Sequence, residues 1–206
     1  MDEARSIRDF WFGPRPLSAA ALNRRVRFWF GGGTSQRQQQ RDAEIRRRFG
    51  ELLQRAAAGE LNTWADGPRR RLSLIILLDQ FPRNMFRGTA RAFAYDAQAL
   101  ALTLSGMQSA ADAALDPVER MFFYMPLQHS EMRDVQDESV AAYRRLFSEA
   151  PPELHGPLAA ALRSAENHRA IIERFGRFPY RNPALGRAST PAEEAWLRSG
   201  GESYGQ

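Results

Sequence analysis

Four side chains that can transfer protons lie beside apolar segments of the sequence: Asp79, His129, Glu131 and His168. Carboxylates and imidazoles are the groups that most often serve as general acids and bases. His168 lies three residues after Ala165 and four before Ile172, so we expect its side chain to face the interior of the protein. If the protein is an enzyme, we therefore predict a hydrolase- or lyase-type reaction that uses His129 and His168 with Asp79 or Glu131 as acid and base.

Each of these residues also has a structural interpretation, and the sequence alone leaves both interpretations open. A single inward histidine is often a hydrogen-bonded core residue. Ser130 would cap a helix that begins at that point, and Glu131 would favour the positive end of the same helix. Asp79 and Arg83 are four residues apart and would form an ion pair on one helix face.

A metal site is the weaker interpretation of the same residues. Histidine and carboxylate side chains bind metal ions, but the sequence lacks His-Glu-x-x-His and similar fixed spacings. It also lacks a Walker motif, a Gly-x-Ser-x-Gly elbow and a dinucleotide fingerprint. We therefore predict no metal ligands and no cofactor.

Arginine is abundant near the proton-transferring residues, and this favours an anionic ligand. A guanidinium group binds carboxylate or phosphate through two parallel hydrogen bonds. Our leading prediction is an inward pocket, lined by Arg, His and Asp, that binds a small anionic ligand. Its predicted ligand-binding residues are Arg83, Asn84, Tyr124, Arg177, Arg181 and Arg187. A further alternative is a protein-interaction scaffold, which would present an exposed apolar groove to a peptide.

These residues need an element that carries them into the interior, and the segment from residue 72 to 84 predicts one. Its apolar side chains cover every side of a helix, which is typical of a buried helix. Asp79 continues the stripe of Ile75 and Ile76, and a buried carboxylate is costly without a partner. We expect Arg83, Arg177 or His168 to supply that partner. We also expect one cavity to be lined by Asp79, Arg83, His129, Glu131, His168 and Arg177.

Helical periodicity dominates the rest of the chain, so the predicted class is all-α. Predicted helices cover residues 2–11, 18–30, 36–58, 69–81, 89–106, 130–147 and 157–175, with further helices beginning after Asp116 and Thr190. We expect antiparallel helix pairs in a right-handed, tetratricopeptide-like array around the buried central helix. Residues 1–198 are predicted to form one domain, and residues 199–206 a flexible tail.

Composition limits the other functional classes. The 206 residues include no Cys, and all 29 basic residues are Arg, with a net charge of +5. Because these arginines are dispersed among carboxylates, we expect only weak, non-specific binding to nucleic acid. The aliphatic run at residues 74–78 is too short to cross a bilayer, and the first residues do not resemble a signal peptide. We predict a cytoplasmic protein, and the sequence leaves its oligomeric state open.

Several motifs together resemble the bacterial domain-of-unknown-function family 924. They are LLDQFPRN at 77–84, FRGTARAF at 86–93, YMPLQHSE at 124–131, His168 with RFGRFPYRN at 174–182, LGR at 185–187 and STPAE at 189–193. The resemblance covers essentially the whole chain and implies a fold similar to tetratricopeptide-like helical repeats, without implying a reaction. Tyr180 stands where His is expected in many members, and Gln128 where Met is expected. The missing His at position 180 weakens any metal site that would use it.

Overall fold

The structure, a computed structural model, describes residues 2–15, 19–31 and 35–201. Within these residues every regular element is helical. The helices are α1 (Glu3–Phe12), α2 (Ala19–Phe30), α3 (Ser35–Ala57), α4 (Pro68–Ile75), α5 (Phe81–Met85), α6 (Asp96–Gln108), α7 (Pro117–Phe123), α8 (Met125–His129), α9 (Arg133–Glu149), α10 (His155–Phe175) and α11 (Pro191–Arg198). Short 3₁₀ turns cover Asn62–Asp66, Ala90–Phe93, Ala111–Ala114, Pro152–Leu154 and Pro179–Arg181. The all-α prediction is confirmed. The predicted start of a helix at residue 18 and most of the predicted tail lie outside the described residues.

The predicted central helix is present, but it is longer than expected and interrupted. A π-helical turn, Ile76–Gln80, joins α4 to α5, so helical backbone continues to Met85 rather than ending at residue 81. All side chains from Leu72 to Asp79 are buried, and so are those from Phe81 to Met85. Helices α1, α3 and α6 pack around this segment.

Pro82 explains the widened turn. A proline ring inside a helix collides with the carbonyl four residues earlier, here that of Leu78, and has no N–H to donate. In the π turn, Phe81 N–H donates to the carbonyl of Ile76, five residues back. The wider turn allows the chain to pass Pro82 and to remain helical.

Two other predicted features follow local sequence signals. Asp116 with Glu119 and Thr190 with Glu193 form capping boxes at the starts of α7 and α11, as expected. Pro126 separates α7 from α8, which meet at Tyr124.

Two predicted helix starts were wrong. Helix α9 begins at Arg133 after Met132, whereas Ser130 accepts the Met132 N–H in the preceding extended segment, so Ser130 is not its cap. The segment predicted to form one helix from residue 89 first makes the Ala90–Phe93 3₁₀ turn, and α6 begins at Asp96.

Helices α9 and α10 pack closely against each other. In the described ranges, no helix combines the length and apolarity needed to cross a bilayer.

Candidate functional site

A cavity of about 690 Å³ lies where α2, α3, α5, α8 and α10 meet the 3₁₀ turn Pro179–Arg181. Its charge is strongly one-sided. Among the described lining residues there are seven arginines and no Asp or Glu. The arginines are Arg24, Arg27, Arg37, Arg41, Arg83, Arg87 and Arg181.

The cavity changes in character from its mouth to its floor. Arg24, Arg27 and Arg37 are exposed at the mouth, whereas Arg83 and Arg181 are buried, at 7% and 5% exposure. Neutral polar side chains share the interior with them: Gln80, Asn84, Gln128, His129, Ser164 and His168. Aromatic rings also line the cavity: Phe28, Trp29 and Phe30 on α2, together with Phe93 and Tyr180.

Asp79 lies directly behind the floor and is fully buried. One carboxylate oxygen, Oδ1, accepts from His129 Nδ1 at 2.6 Å and lies 3.3 Å from Arg83 Nη1. The other oxygen accepts from Gln80 Nε2 at 2.6 Å. Burial on its own would raise the pKa of Asp79, but the contact with His129 and the positive charge of Arg83 lower it below the usual value. The carboxylate is therefore ionised at neutral pH. Its partner from another helix is His129, so the expected partners Arg177 and His168 were wrong.

His129 is held in one tautomer by this contact. Burial lowers the pKa of His129, and Arg83 lowers it further, although Asp79 opposes the change. The ring is thus neutral at neutral pH, with its Nδ1 proton donated to Asp79 and its Nε2 left as an acceptor. His129 lines the cavity, so this arrangement resembles the Asp–His part of a catalytic triad.

His168 has the same tautomer for a different reason. Its Nδ1 donates to the backbone carbonyl of Ser164, one helical turn earlier, at 2.7 Å. Burial, with some help from His129, lowers the pKa of His168 to about 3. The centres of the two imidazole rings are 6.2 Å apart. The floor therefore carries two neutral imidazoles with fixed orientations.

The arginines at the floor are held by a carboxylate that the sequence reasoning missed. Asp96, at the start of α6, accepts two hydrogen bonds of 2.8 Å from Arg83 and lies 3.4 Å from Arg181. Burial acts to lower the pKa of Arg83, but Asp96 and Asp79 raise it overall, so the guanidinium remains charged. Arg181 also lies over the ring of Phe93, with 4.7 Å to its centre.

Glu131 and Arg187 meet, but outside the described cavity lining. The two side chains form paired hydrogen bonds of 2.7 and 3.0 Å, and Glu131 also accepts the Phe178 N–H at 2.8 Å. Burial would raise the pKa of Glu131, but Arg187 and the Phe178 N–H lower it. This pair connects the segment before α9 to the C-terminal part of the chain.

Arg177 and Tyr124 also lie away from the described lining. Arg177 forms a two-pronged pair with Glu193, at 2.6 and 2.8 Å. The Tyr124 hydroxyl donates to Asp112 and accepts from Arg120. Of the predicted site residues, the cavity therefore brings together Arg83, Asn84, His129, His168 and Arg181, with Asp79 behind them. The expectation that Glu131 and Arg177 share this cavity was wrong, because each is held by a partner elsewhere.

Comparison with known proteins places the chain in a family. A family model described as "Bacterial protein of unknown function (DUF924)" matches residues 7–201. The chain belongs to the DUF924 family. It is also similar to the solved structure of a protein of unknown function, ATU0120, from Agrobacterium tumefaciens, at 34% identity and a TM-score of 0.78. That match covers 95% of this chain and 97% of the other. No curated protein matches the chain.

A metal ion suits this DUF924 cavity poorly. Both histidines donate Nδ1–H to an oxygen acceptor, which is how metal-binding histidines are commonly oriented. However, the described residues contain no cluster of three or more His, Asp and Glu side chains that could hold an ion. The excess of arginine would also repel a cation. The arrangement suits an anion with hydrogen-bonding groups.

The sequence reasoning missed the arginines that α2 and α3 contribute to the DUF924 cavity. Arg24 and Arg27 are three residues apart and share a face of α2, and Arg37 and Arg41 are similarly related on α3. That spacing was visible in the sequence. Their position opposite Arg83 and His129 depends on long-range packing, which the spacing does not reveal.

Proposed function

We propose that the cavity binds a small anionic ligand. The observation that carries this proposal is the set of seven arginines, with no Asp or Glu among the described lining residues. A cavity lined by charges of one sign raises the local concentration of ligands of the opposite charge.

The carboxylates behind the wall offset only part of this charge. Asp79 and Asp96 pair with the floor arginines, and Asp42 pairs with Arg87 at 3.1 Å and lies 3.6 Å from Arg41. Arg24 and Arg27 have no carboxylate partner among the described residues. Two neighbouring arginines without a carboxylate partner repel each other, and a bound anion reduces this repulsion.

The test is calorimetric titration with inorganic phosphate and with acetate at low ionic strength. We expect saturable phosphate binding that the double substitution Arg24→Gln/Arg27→Gln weakens by about tenfold or more, equivalent to about 1.4 kcal/mol. A charge-matched control is Arg133→Gln/Arg144→Gln, whose side chains are 66% and 67% exposed elsewhere on the surface. The proposal fails if neither anion binds saturably, or if the control weakens binding as much as the cavity variant.

A second candidate function, acid–base catalysis, is favoured by the 2.6 Å contact between Asp79 and His129. In a hydrolase of this kind, His129 Nε2 would accept a proton from water as that water attacks a bound ester. Glu131 is the weaker partner for this role, because Arg187 and the Phe178 N–H already occupy it. The third alternative, a peptide-binding scaffold, gains no support from the described exposed apolar side chains, Phe30, Met132 and Leu185, which lie on three different segments.

His129→Asn tests the catalytic candidate, since an Asn amide can still donate to Asp79 but has no counterpart of Nε2. Release of 4-nitrophenolate from 4-nitrophenyl phosphate and 4-nitrophenyl acetate would be measured. If His129 is the base, the variant should lose roughly 100-fold or more of any wild-type activity, as removal of a general base does. Equal rates in the two proteins would exclude His129 from catalysis.

A further inference from the structure

The cavity has three chemically distinct zones, which together describe more than an anion. Exposed arginines on α2 lie at the mouth, and aromatic rings from α2 and from two 3₁₀ turns line the cavity. The buried floor combines neutral hydrogen-bonding side chains with Arg83 and Arg181, which Asp96 already pairs. We propose that the ligand is a phosphorylated aromatic heterocycle, such as a nucleoside monophosphate. This inference rests on the proposed anion-binding function and names the class of ligand.

The phosphate is assigned to the mouth. Arg24 and Arg27 lie on one face of α2 and have no carboxylate partner among the described residues, whereas Arg83 and Arg181 are already bound to Asp96. A phosphate monoester carries up to two negative charges and accepts hydrogen bonds from more than one guanidinium. A phosphate monoester therefore neutralises and hydrogen-bonds the arginines of the mouth more completely than a single carboxylate does.

The planar ring is assigned to the middle. Phe28 lies on α2, whereas Phe93 and Tyr180 belong to the 3₁₀ turns Ala90–Phe93 and Pro179–Arg181, and all three line the cavity. Arg181 lies 4.7 Å from the centre of the Phe93 ring and 5.7 Å from that of Tyr180, so both rings already contact a guanidinium group. Aromatic side chains and guanidinium planes are the surfaces on which heterocyclic bases commonly stack.

The polar edge of the ring is assigned to the floor. His129 and His168 are neutral and orientated by Asp79 and by the Ser164 carbonyl, and Gln128 lies beside them, where it accepts from the Ser164 hydroxyl at 3.1 Å. Because Asp96 already pairs Arg83 and Arg181, the other donors and acceptors of the floor are neutral, and they suit ring nitrogens and carbonyls better than a second charge. The volume of about 690 Å³ also lies within the range of small-molecule sites and accommodates a ligand of this size.

The experiment compares whole ligands with their fragments by calorimetric titration of the full chain. The ligands are the adenosine, guanosine, cytidine and uridine 5′-monophosphates and pyridoxine 5′-phosphate. The fragments are ribose 5-phosphate, which has no ring system, and the corresponding nucleosides, which have no phosphate. We expect at least one heterocyclic monophosphate to bind about tenfold or more tightly than ribose 5-phosphate, the usual gain from one stacked base.

Phe93→Leu should remove most of this tenfold advantage and leave binding of ribose 5-phosphate unchanged. Phe147→Leu is the matched control, because Phe147 is also partly buried but its ring contacts that of His155, between α9 and α10. Arg24→Gln/Arg27→Gln should weaken both ligand types.

The outcomes separate the two proposals. If ribose 5-phosphate binds as tightly as every heterocyclic monophosphate, the ligand class is wrong although anion binding stands. If the free nucleosides bind as tightly as their monophosphates, the assigned role of the mouth arginines is wrong. If none of these compounds binds, and inorganic phosphate also fails, the anion-binding function itself is excluded.

Discussion

Asp79→Asn tests whether the buried carboxylate organises the site. The substitution keeps the shape of the side chain but removes the negative charge of a carboxylate that accepts from His129 and Gln80 and forms an ion pair with Arg83. Asp79 is fully buried, so water cannot replace the lost interactions. We therefore expect a measurable loss of folding stability at neutral pH.

The size of the loss follows from what each partner retains. Removing one member of a buried ion pair costs about 3–5 kcal/mol when the other member is left alone. Arg83 is not left alone, because its two 2.8 Å hydrogen bonds to Asp96 remain. Gln80 can rotate its amide and present oxygen to the new Asn. The loss is then concentrated in the charge-assisted contacts from His129 and Arg83, and we expect about 3 kcal/mol in total.

The dependence on pH has a definite sign. Because folding lowers the pKa of Asp79, its stabilising contribution is present above the ordinary value of 3.8 and is lost as pH falls through the lower folded value. The difference in free energy of unfolding between wild type and variant should therefore be fully present at neutral pH. It should narrow only in more acidic solution.

The assay is equilibrium unfolding in denaturant, followed by far-ultraviolet circular dichroism. Asp137→Asn is the matched control, because Asp137 pairs with Arg169 but its side chain is 52% exposed. The control should change the free energy of unfolding by no more than about 0.5 kcal/mol, as ordinary surface substitutions do. A loss at Asp79 as small as that of the control would refute the reasoning, since the carboxylate would then be exchangeable with a neutral amide.

Three further predictions concern other parts of the structure. His168→Asn keeps a donor for the Ser164 carbonyl, but the new side chain cannot be protonated. Because the pKa of His168 falls from 6.5 to about 3 on folding, the wild-type protein should lose stability as the pH drops from 6.5 towards 3. The variant should lose less, and denaturant midpoints at about pH 7.5 and pH 4.5 would show it. Glu131→Gln weakens the pair with Arg187, so it should cost about 1–2 kcal/mol and speed proteolysis of the C-terminal segment. Unchanged proteolysis would show that this pair does not hold the segment in place. Gly106→Ala places a methyl group 2.5 Å from the Phe123 ring, so it should destabilise the protein by about 1–3 kcal/mol. Gly50→Ala is the control, because Gly50 has open space around it, and it should stabilise the protein by up to about 1 kcal/mol. Equal changes in the melting temperature of the two variants would contradict this packing.

The parts of the fold that could be predicted from the sequence have local causes. The buried central segment was evident because its apolar residues cover a whole helix, and the two capping boxes are visible within four residues. Asp96 was missed because its partners, Arg83 and Arg181, lie 13 and 85 residues away in the chain. No periodicity links residues at such separations.

The residues of the candidate site also fall into those that the sequence identifies and those that only the structure identifies. Asp79, Arg83 and His129 were recognised as polar residues at the ends of apolar helices, whereas Arg177 and Arg187 looked similar in sequence but are held by Glu193 and Glu131. An arginine beside such a motif can equally well bind a ligand or pair with an Asp or Glu side chain of the same protein. Only the packing of the C-terminal segment determines which of the two it meets.

The π turn explains how one helical segment serves both the core and the cavity. One inserted residue rotates the following helix by about 100° relative to the preceding one, since each residue of an α-helix turns by that angle. The apolar residues of α4 can therefore be buried on all sides, while Arg83 and Asn84 of α5 face the cavity. Asp79 lies within the turn itself and connects the two through Arg83 and His129. Because the same turn supports the core and orients the binding groups, a ligand that contacts Arg83 or His129 should also stabilise the fold against unfolding.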